Sequence, residues 1–185
     1  MKKGEGVYNV VVIGAGTAGL VTAAGTAGLG GRVALIERNL MGGDCLNFGC
    51  VPSKALISSA RLIQQIRESE KWGLDQLEPQ FVFEKVFERM RARRAKIAPH
   101  DSRERFESLG VDVFHGEARF VSPRQVEVNG QRLRARNFVI ATGSRAQRLN
   151  GPVAPASHRP ASMTALSKRT AAGPSVSGSA RMIPP

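Results

Sequence analysis

The sequence predicts an α/β fold in which a parallel sheet is joined by an antiparallel meander. Three observations carry this. An apolar, β-branched run, Tyr8–Ile13, leads directly into the glycine-rich turn Gly14-Ala15-Gly16-Thr17-Ala18-Gly19. A second run of the same kind, Arg32–Glu37, follows a helix-like stretch. Beyond residue 110 come three short alternating segments, two of them joined by the hairpin dipeptide Asn129-Gly130. Continuous apolar runs mark strands buried on both faces, whereas short alternating ones mark an antiparallel sheet with one wet side.

In the first unit, G-x-G-x-x-G stands after a strand and opens a helix, the placement in which the motif has physical meaning. Gly14 permits the tight turn, Gly16 lets backbone approach a pyrophosphate, and Gly19 lets the helix pack close to the strand. The helix N-terminus offers unsatisfied N–H groups to the anion. The helix continues through Leu20, Val21, Ala23, Ala24 and Ala27, and Gly28–Gly31 end it. Glu37 closes the next strand 18 residues after Gly19, where an acid is the expected partner of an adenosine ribose. Together these elements specify a dinucleotide site but do not separate NAD from FAD.

Residues 42–54, GGDCLNFGCVPSK, hold both cysteines of the chain. In a regular helix, residues five apart have Cα atoms roughly 8.5 Å apart, whereas a disulfide spans only about 4.4–6.8 Å. Cys45 and Cys50 can therefore pair only if Leu46–Gly49 leave helical geometry, which Gly49 facilitates. Val51–Lys54 read as the entry to a long helix running through Leu56, Ile57, Ala60, Leu62, Ile63 and Ile66, with Pro52 tolerated in its first turn. Cys50 then lies at a helix N-terminus with Lys54 one turn on, and both features favour a thiolate. Three readings stay open on these grounds: a metal half-site, two inert buried thiols, or a pair that is made and broken. A structural zinc site needs four ligands, and the only additions are the scattered His100, His115 and His158.

Phe83, Val86, Phe87 and Met90 recur at helical spacing, and the continuation Arg91–Lys96 is basic. A short helix with Phe106 and Leu109 ends at Gly110. Val111–Phe114 is the next strand, followed by Glu117–Val121, Gln125–Val128 and Leu133–Ala135 as the meander. Phe138–Ala141 returns to a buried run and ends in Thr142-Gly143-Ser144.

Composition narrows the function classes. Lys and Arg number 27 against 15 Asp and Glu. Four of those basic residues and no acid lie beyond Gly151, which leaves a net +8 in residues 1–150. The excess is spread out, and no aromatic residues interleave with Arg89–Lys96 to stack bases, so a solvated helix face is preferred to a nucleic-acid surface. No apolar run approaches the roughly 20 residues of a membrane span, and Glu5, Asn9 and the glycines break up any signal-like start. A cytoplasmic protein with no membrane partner is expected, in which two cysteines are more often catalytic or metal-binding than structural.

The stretch GGDCLNFGCVPSKAL, downstream of the dinucleotide motif, resembles the signature of the FAD-dependent pyridine nucleotide–disulfide oxidoreductases, in the branch of dihydrolipoamide dehydrogenase and mercuric reductase. The resemblance implies a Rossmann-like FAD-binding domain and a redox-active Cys45–Cys50 disulfide. Cys45 would be the interchange thiol that attacks substrate, and Cys50 the thiol in contact with the flavin. Lys54 would lie near the flavin's redox edge, and Gly43 in the signature would join the cofactor contacts. Gly14, Gly16, Gly19 and Glu37 carry over to FAD. Gly116-x-Ala118 looks like the segment that meets the adenine, and Ala141-Thr142-Gly143 like the second short FAD motif. The implied activity is transfer of electrons from NADPH or NADH, through FAD, to a small disulfide or a metal-ion substrate, by a homodimer.

The resemblance covers residues 8 to about 145, and domain boundaries of 1–145 and 146–185 are expected. Residues 151–185 contain Gly, Pro, Ala or Ser at 22 of 35 positions, with neither an aromatic residue nor an acid. That composition reads as disordered. A second nucleotide motif and an interface domain, which the resemblance leads one to look for, are missing. The expected fold is therefore an incomplete FAD domain, an N-terminal fragment whose residues after about Ser144 stem from a shifted reading frame.

Overall fold

The computed structural model describes residues 3–144; the expected tail and its proposed frame shift lie outside them. In chain order the elements are β1 (Val7–Ile13), α1 (Thr17–Gly28), β2 (Val33–Glu37), α2 (Gly43–Asn47), α3 (Cys50–Arg67), α4 (Phe83–Ile97), α5 (Arg103–Ser108), β3 (Val111–His115), β4 (Arg119–Ser122), β5 (Gln125–Val128) and β6 (Gln131–Ile140). Short 3-10 turns occupy Ser69–Trp72 and Ala98–Asp101.

All six strands belong to one sheet, in the order β3-β2-β1-β6-β5-β4. The first four strands in that order run parallel, and β4, β5 and the first part of β6 are antiparallel to one another. The sequence reading separates Leu133–Ala135 from Phe138–Ala141. The structure corrects this: they are one ten-residue strand, paired with β5 through Gln131–Arg134 and with β1 through Arg134–Ile140. Arg136 and Asn137 look like a break in the sequence, but a strand with a different partner at each end needs no turn between them. The meander is thus hydrogen-bonded into the parallel sheet.

Two apolar clusters cover the two sheet faces. On one, Val12, Val33, Leu35, Val111 and Val113 meet Leu20 and Ala23 of α1 and Phe106 of α5. On the other, Tyr8, Val11, Ala34 and Ile36 meet Val126, Val128 and Leu133 of the antiparallel strands. The result is a three-layer arrangement of helix, parallel sheet and curled meander, as expected. Every residue of β2 is buried, which explains its unbroken apolar run. By contrast, α3 and α4 pack on each other and leave their apolar stripe largely in the open. Only Ala55 of α3 and no residue of α4 is buried, while Ile57, Leu62 and Phe83 are exposed. The 3.6-residue period predicted the helices correctly but not the degree of burial.

At the amino ends of the strands, Tyr8 is fully buried and donates to Asp112 Oδ2 at 2.5 Å while accepting from the Gly4 N–H at 2.9 Å. The Arg32 guanidinium lies over its ring at 4.3 Å and pairs with Asp112 at 3.6 Å. Burial, and then the Asp112 hydrogen bond, push the phenol up to about 12. The ordinary phenol value is about 10. Since the folded value is the higher one, this stabilising contribution is whole below pH about 10 and is lost as pH rises toward 12. Tyr8 is the only tyrosine in the chain. Ultraviolet titration of phenolate absorbance will therefore show one late transition, coincident with alkaline loss of tertiary structure; a midpoint near 10 with the fold intact would contradict it.

Candidate functional site

Because β1, β2, β3 and β6 are parallel, their carboxyl ends lie on one edge of the sheet, where open α/β sheets place their ligands. Four segments singled out in the sequence emerge there: Gly14–Gly19 after β1, Glu37 at the end of β2, Gly116–Ala118 after β3, and Ala141–Gly143 after β6. Backbone hydrogen bonds join them. Gly14 N donates to Ile36 O at 2.7 Å, Gly116 N to Glu37 O at 2.8 Å, and Ala141 N to Ile13 O at 2.8 Å.

The three motif glycines have different local reasons. Gly14 has φ +105, and a Cβ there would strike the carbonyl of Ala141. Gly19 is buried, and a Cβ on it would fall on the carbonyl oxygen of Gly14 and within 3.3 Å of Val12. Gly16 is unlike both. It is the N-cap of α1 in extended backbone (φ −79, ψ −175), without a side-chain cap, and a Cβ on it would meet nothing closer than Gly43 Cα at 3.9 Å. The turn therefore keeps an open cradle over uncapped helix N–H groups.

Glu37, buried at the end of β2, already has structural work. Its Oε2 accepts from Ala15 N–H at 2.6 Å and its Oε1 from Asn39 N–H at 2.7 Å. It thereby fixes the glycine turn against the end of β2. Each carboxylate oxygen retains a further acceptor lone pair.

The second loop meets the first at glycine. Gly42 N donates to Ala15 O at 2.9 Å. Gly43 has φ +56, and a Cβ on it would stand 2.6 Å from Gly16 Cα. Helix α2 ends at Asn47, and Phe48 (φ −134) and Gly49 (φ −105, ψ −107) break the spiral before α3 starts at Cys50. This is the departure from helical geometry that pairing of the two sulfurs requires. Cys45 and Cys50 are both free thiols. Cys45 is half-buried and Cys50 exposed. Donation to Cys50 raises the Cys45 thiol above its ordinary value, burial adds to the rise, and hydrogen bonds to its sulfur from Thr17 and from the Cys50 backbone oppose it. Lys54 lies one turn into α3 with an exposed side chain. Among the described residues, no group of three His, Cys, Asp or Glu side chains could hold a metal ion.

The sequence reading missed three residues here. Asn47 donates from Nδ2 to Met41 O at 3.0 Å and Gly43 O at 2.9 Å, which holds the cysteine loop closed. Asn129 (φ 50) donates to His115 O at 2.7 Å and lies against Gly116. Thr17 counts among the groups that lower the Cys45 thiol. Asparagine in a loop between two fixed glycines was a usable signal; the other two depend on contacts between distant segments. Asn47→Ala will lower stability by about 1–2 kcal/mol and raise the reactivity of both thiols toward a disulfide reagent. Thermal melts and reagent kinetics check this, and unchanged thiol rates would show that the loop closes without Asn47.

Comparisons with known proteins bear on the family and the fold. The pattern of the pyridine nucleotide-disulphide oxidoreductase family matches residues 8–171. Dihydrolipoyl dehydrogenase of Acholeplasma laidlawii is 34% identical over 140 residues, covering 75% of this chain and 41% of that protein. Mercuric reductase of Lysinibacillus sphaericus is 31% identical over 140 residues, covering 76% and 26%. Among solved structures, the Cu(II) complex of the HOCl-induced flavoprotein disulfide reductase RclA from Escherichia coli superposes with a TM-score of 0.62 at 25% identity, over 77% of this chain and 29% of that one. The chain thus spans between about a quarter and two-fifths of the length of these proteins.

Proposed function

Since the chain belongs to the pyridine nucleotide-disulphide oxidoreductase family, we propose that its described residues form the FAD-binding and dithiol half of a reductase. In this reading NADH or NADPH is the electron source and a small disulfide or a metal ion the acceptor. The observation that carries it is the junction of Gly16 with Gly43, which brings an open dinucleotide cradle against a loop holding two free thiols.

The residues fit the cofactor. The uncapped start of α1 suits a pyrophosphate, and a Cβ on Gly16 would meet only Gly43 Cα, at 3.9 Å. Glu37 would take the adenosine ribose, Gly116 and Ala118 the adenine, and Ala141, Thr142 and Gly143 a further part of FAD. Gly14 and Gly19 shape the turn, while Gly43 and Lys54 would face the flavin side. Bound FAD would supply two-electron exchange between a nicotinamide and the cysteine pair. The protein's own part is thiol–disulfide exchange. The Cys45 thiolate attacks one sulfur of the substrate disulfide and displaces the other as a thiolate. Cys50, deprotonated, then attacks Cys45 Sγ, closing the Cys45–Cys50 bond and releasing the second substrate thiol. Two electrons leave the dithiol, and one disulfide becomes two thiols.

A cytoplasmic setting and a homodimer for the longer relatives belong to the same reading. In the described residues no helix is long and apolar enough to cross a membrane. The test is FAD titration, followed by flavin fluorescence, of the wild-type chain and Gly16→Ala. Gly16→Ala should keep the melting temperature, within about 1 kcal/mol of N-cap preference, and weaken FAD binding about ten-fold or more, because the methyl group enters the cradle. Equal affinity in the two proteins would refute the cradle assignment.

A further inference from the structure

We propose that Asn129, at the tip of the β5–β6 hairpin, is a positioning residue for the adenosine end of the dinucleotide site, where it fixes the peptide that leads into Gly116–Ala118. This rests on the reading of Glu37 and Gly116–Ala118 as the contacts of ribose and adenine. One peptide unit there is held at both ends. The carbonyl of His115 accepts from Asn129 Nδ2 at 2.7 Å, and the N–H of the next residue, Gly116, donates to Glu37 O at 2.8 Å. A peptide is planar, so these two bonds set the orientation of the whole unit. Each also polarises the other. The side chain of Asn129 thereby acts on both the adenine segment and the main chain of the ribose acid, whose strand positions Glu37 and His115 are paired in register.

The same amide bounds the segment from above. A Cβ on Gly116 would stand 2.4 Å from Asn129 Oδ1 and 2.9 Å from its Nδ2, so only glycine passes beneath it. Two residues on, Ala118 packs against the cluster that contains Val126 and Val128 of β5. Arg38 and Glu117 approach at 3.6 Å across the same gap, but both are exposed and the pair adds little. Turn chemistry alone does not ask for asparagine here. Asn129 and Gly130 have φ 50 and 76, the pattern of a type I′ turn, and Asn129 is the only non-glycine with positive φ among the described residues. Aspartate or glycine would serve that turn as well. Neither carries the amide N–H that reaches His115. The mount is firm, because Val128 and Leu133 on the two strands of the hairpin are buried.

The experiment compares the full chain as wild type, Asn129→Gly and Asn129→Asp, both variants keeping a residue that tolerates the turn. Amide hydrogen exchange without nucleotide is the first readout. The Gly116 N–H should exchange about three-fold faster or more in both variants. The Ala141 N–H, bonded to Ile13 O on another strand, should keep its rate. Titration with FAD and with ADP, which carries the adenosine half and no flavin, is the second. Both ligands should weaken by the same factor, about three- to ten-fold, the effect of one hydrogen bond. Asn129→Asp should lose at least as much as Asn129→Gly, since its carboxylate faces a carbonyl oxygen. An unchanged Gly116 rate would overturn the proposal, as would a faster Gly116 amide with both affinities intact, or a loss for FAD alone. A wild-type chain that binds neither ligand would refute the cofactor reading and this role with it, and a faster Gly116 amide would then mark a purely structural pin.

Discussion

Gly19→Ala will destabilise the domain by about 3 kcal/mol or more. The added carbon falls on the carbonyl oxygen of Gly14 and comes within 3.3 Å of Val12 Cγ1. The first of these is backbone and the second belongs to a fully buried residue, so neither can yield without moving β1 or α1. Overpacking of a well-filled core costs about 1–3 kcal/mol when side chains can shift, and here the obstacle is main chain. Denaturant unfolding measures the loss. Gly16→Ala, three residues away, serves as the control, because its methyl group meets only Gly43 Cα, at an ordinary contact distance of 3.9 Å. Equal unfolding midpoints for the two variants would mean that α1 does not pack on β1 as described.

Glu37→Ala should be the next most damaging change, by about 2–4 kcal/mol. It removes the buried acceptor of two backbone N–H groups, Ala15 at 2.6 Å and Asn39 at 2.7 Å. A buried donor left without a partner costs about 1–3 kcal/mol. Glu37→Gln keeps an acceptor for one of the two and should lose roughly half as much. The readout is chemical denaturation without added nucleotide. If Glu37→Ala proves as stable as wild type, the carboxylate serves a ligand alone and has no structural part.

The glycine turn, its flanking strands and the cysteine loop were legible in the sequence because their determinants are local. Gly14, Gly16 and Gly19 sit where a strand turns into a helix, and Cys45 and Cys50 are separated by a stretch that a glycine must distort. What escaped the reading was set by distant partners. The single strand β6 reads as two pieces because β5 and β1 dictate its ends separately. The stripe Ile57, Leu62 and Phe83 obeys helical spacing whether or not anything covers it, and spacing alone does not tell burial. The double use of Glu37 was hidden for a similar reason: 22 residues separate it from Ala15. A ribose partner and a backbone clamp require the same acid in the same place.

The central claim is that Cys45 and Cys50 form one reversible two-electron pair, and a thiol titration tests it most directly. The chain has only these two cysteines. It would be equilibrated in buffers of graded dithiol and disulfide ratio, alkylated, and weighed intact. The account predicts a single transition in which both alkyl adducts vanish together in monomeric chain, following a two-electron curve of about 30 mV per decade, with Cys45→Ser and Cys50→Ser each abolishing it. Two thiols that stay alkylatable under oxidising buffer, or that disappear only into disulfide-linked dimers, would contradict it.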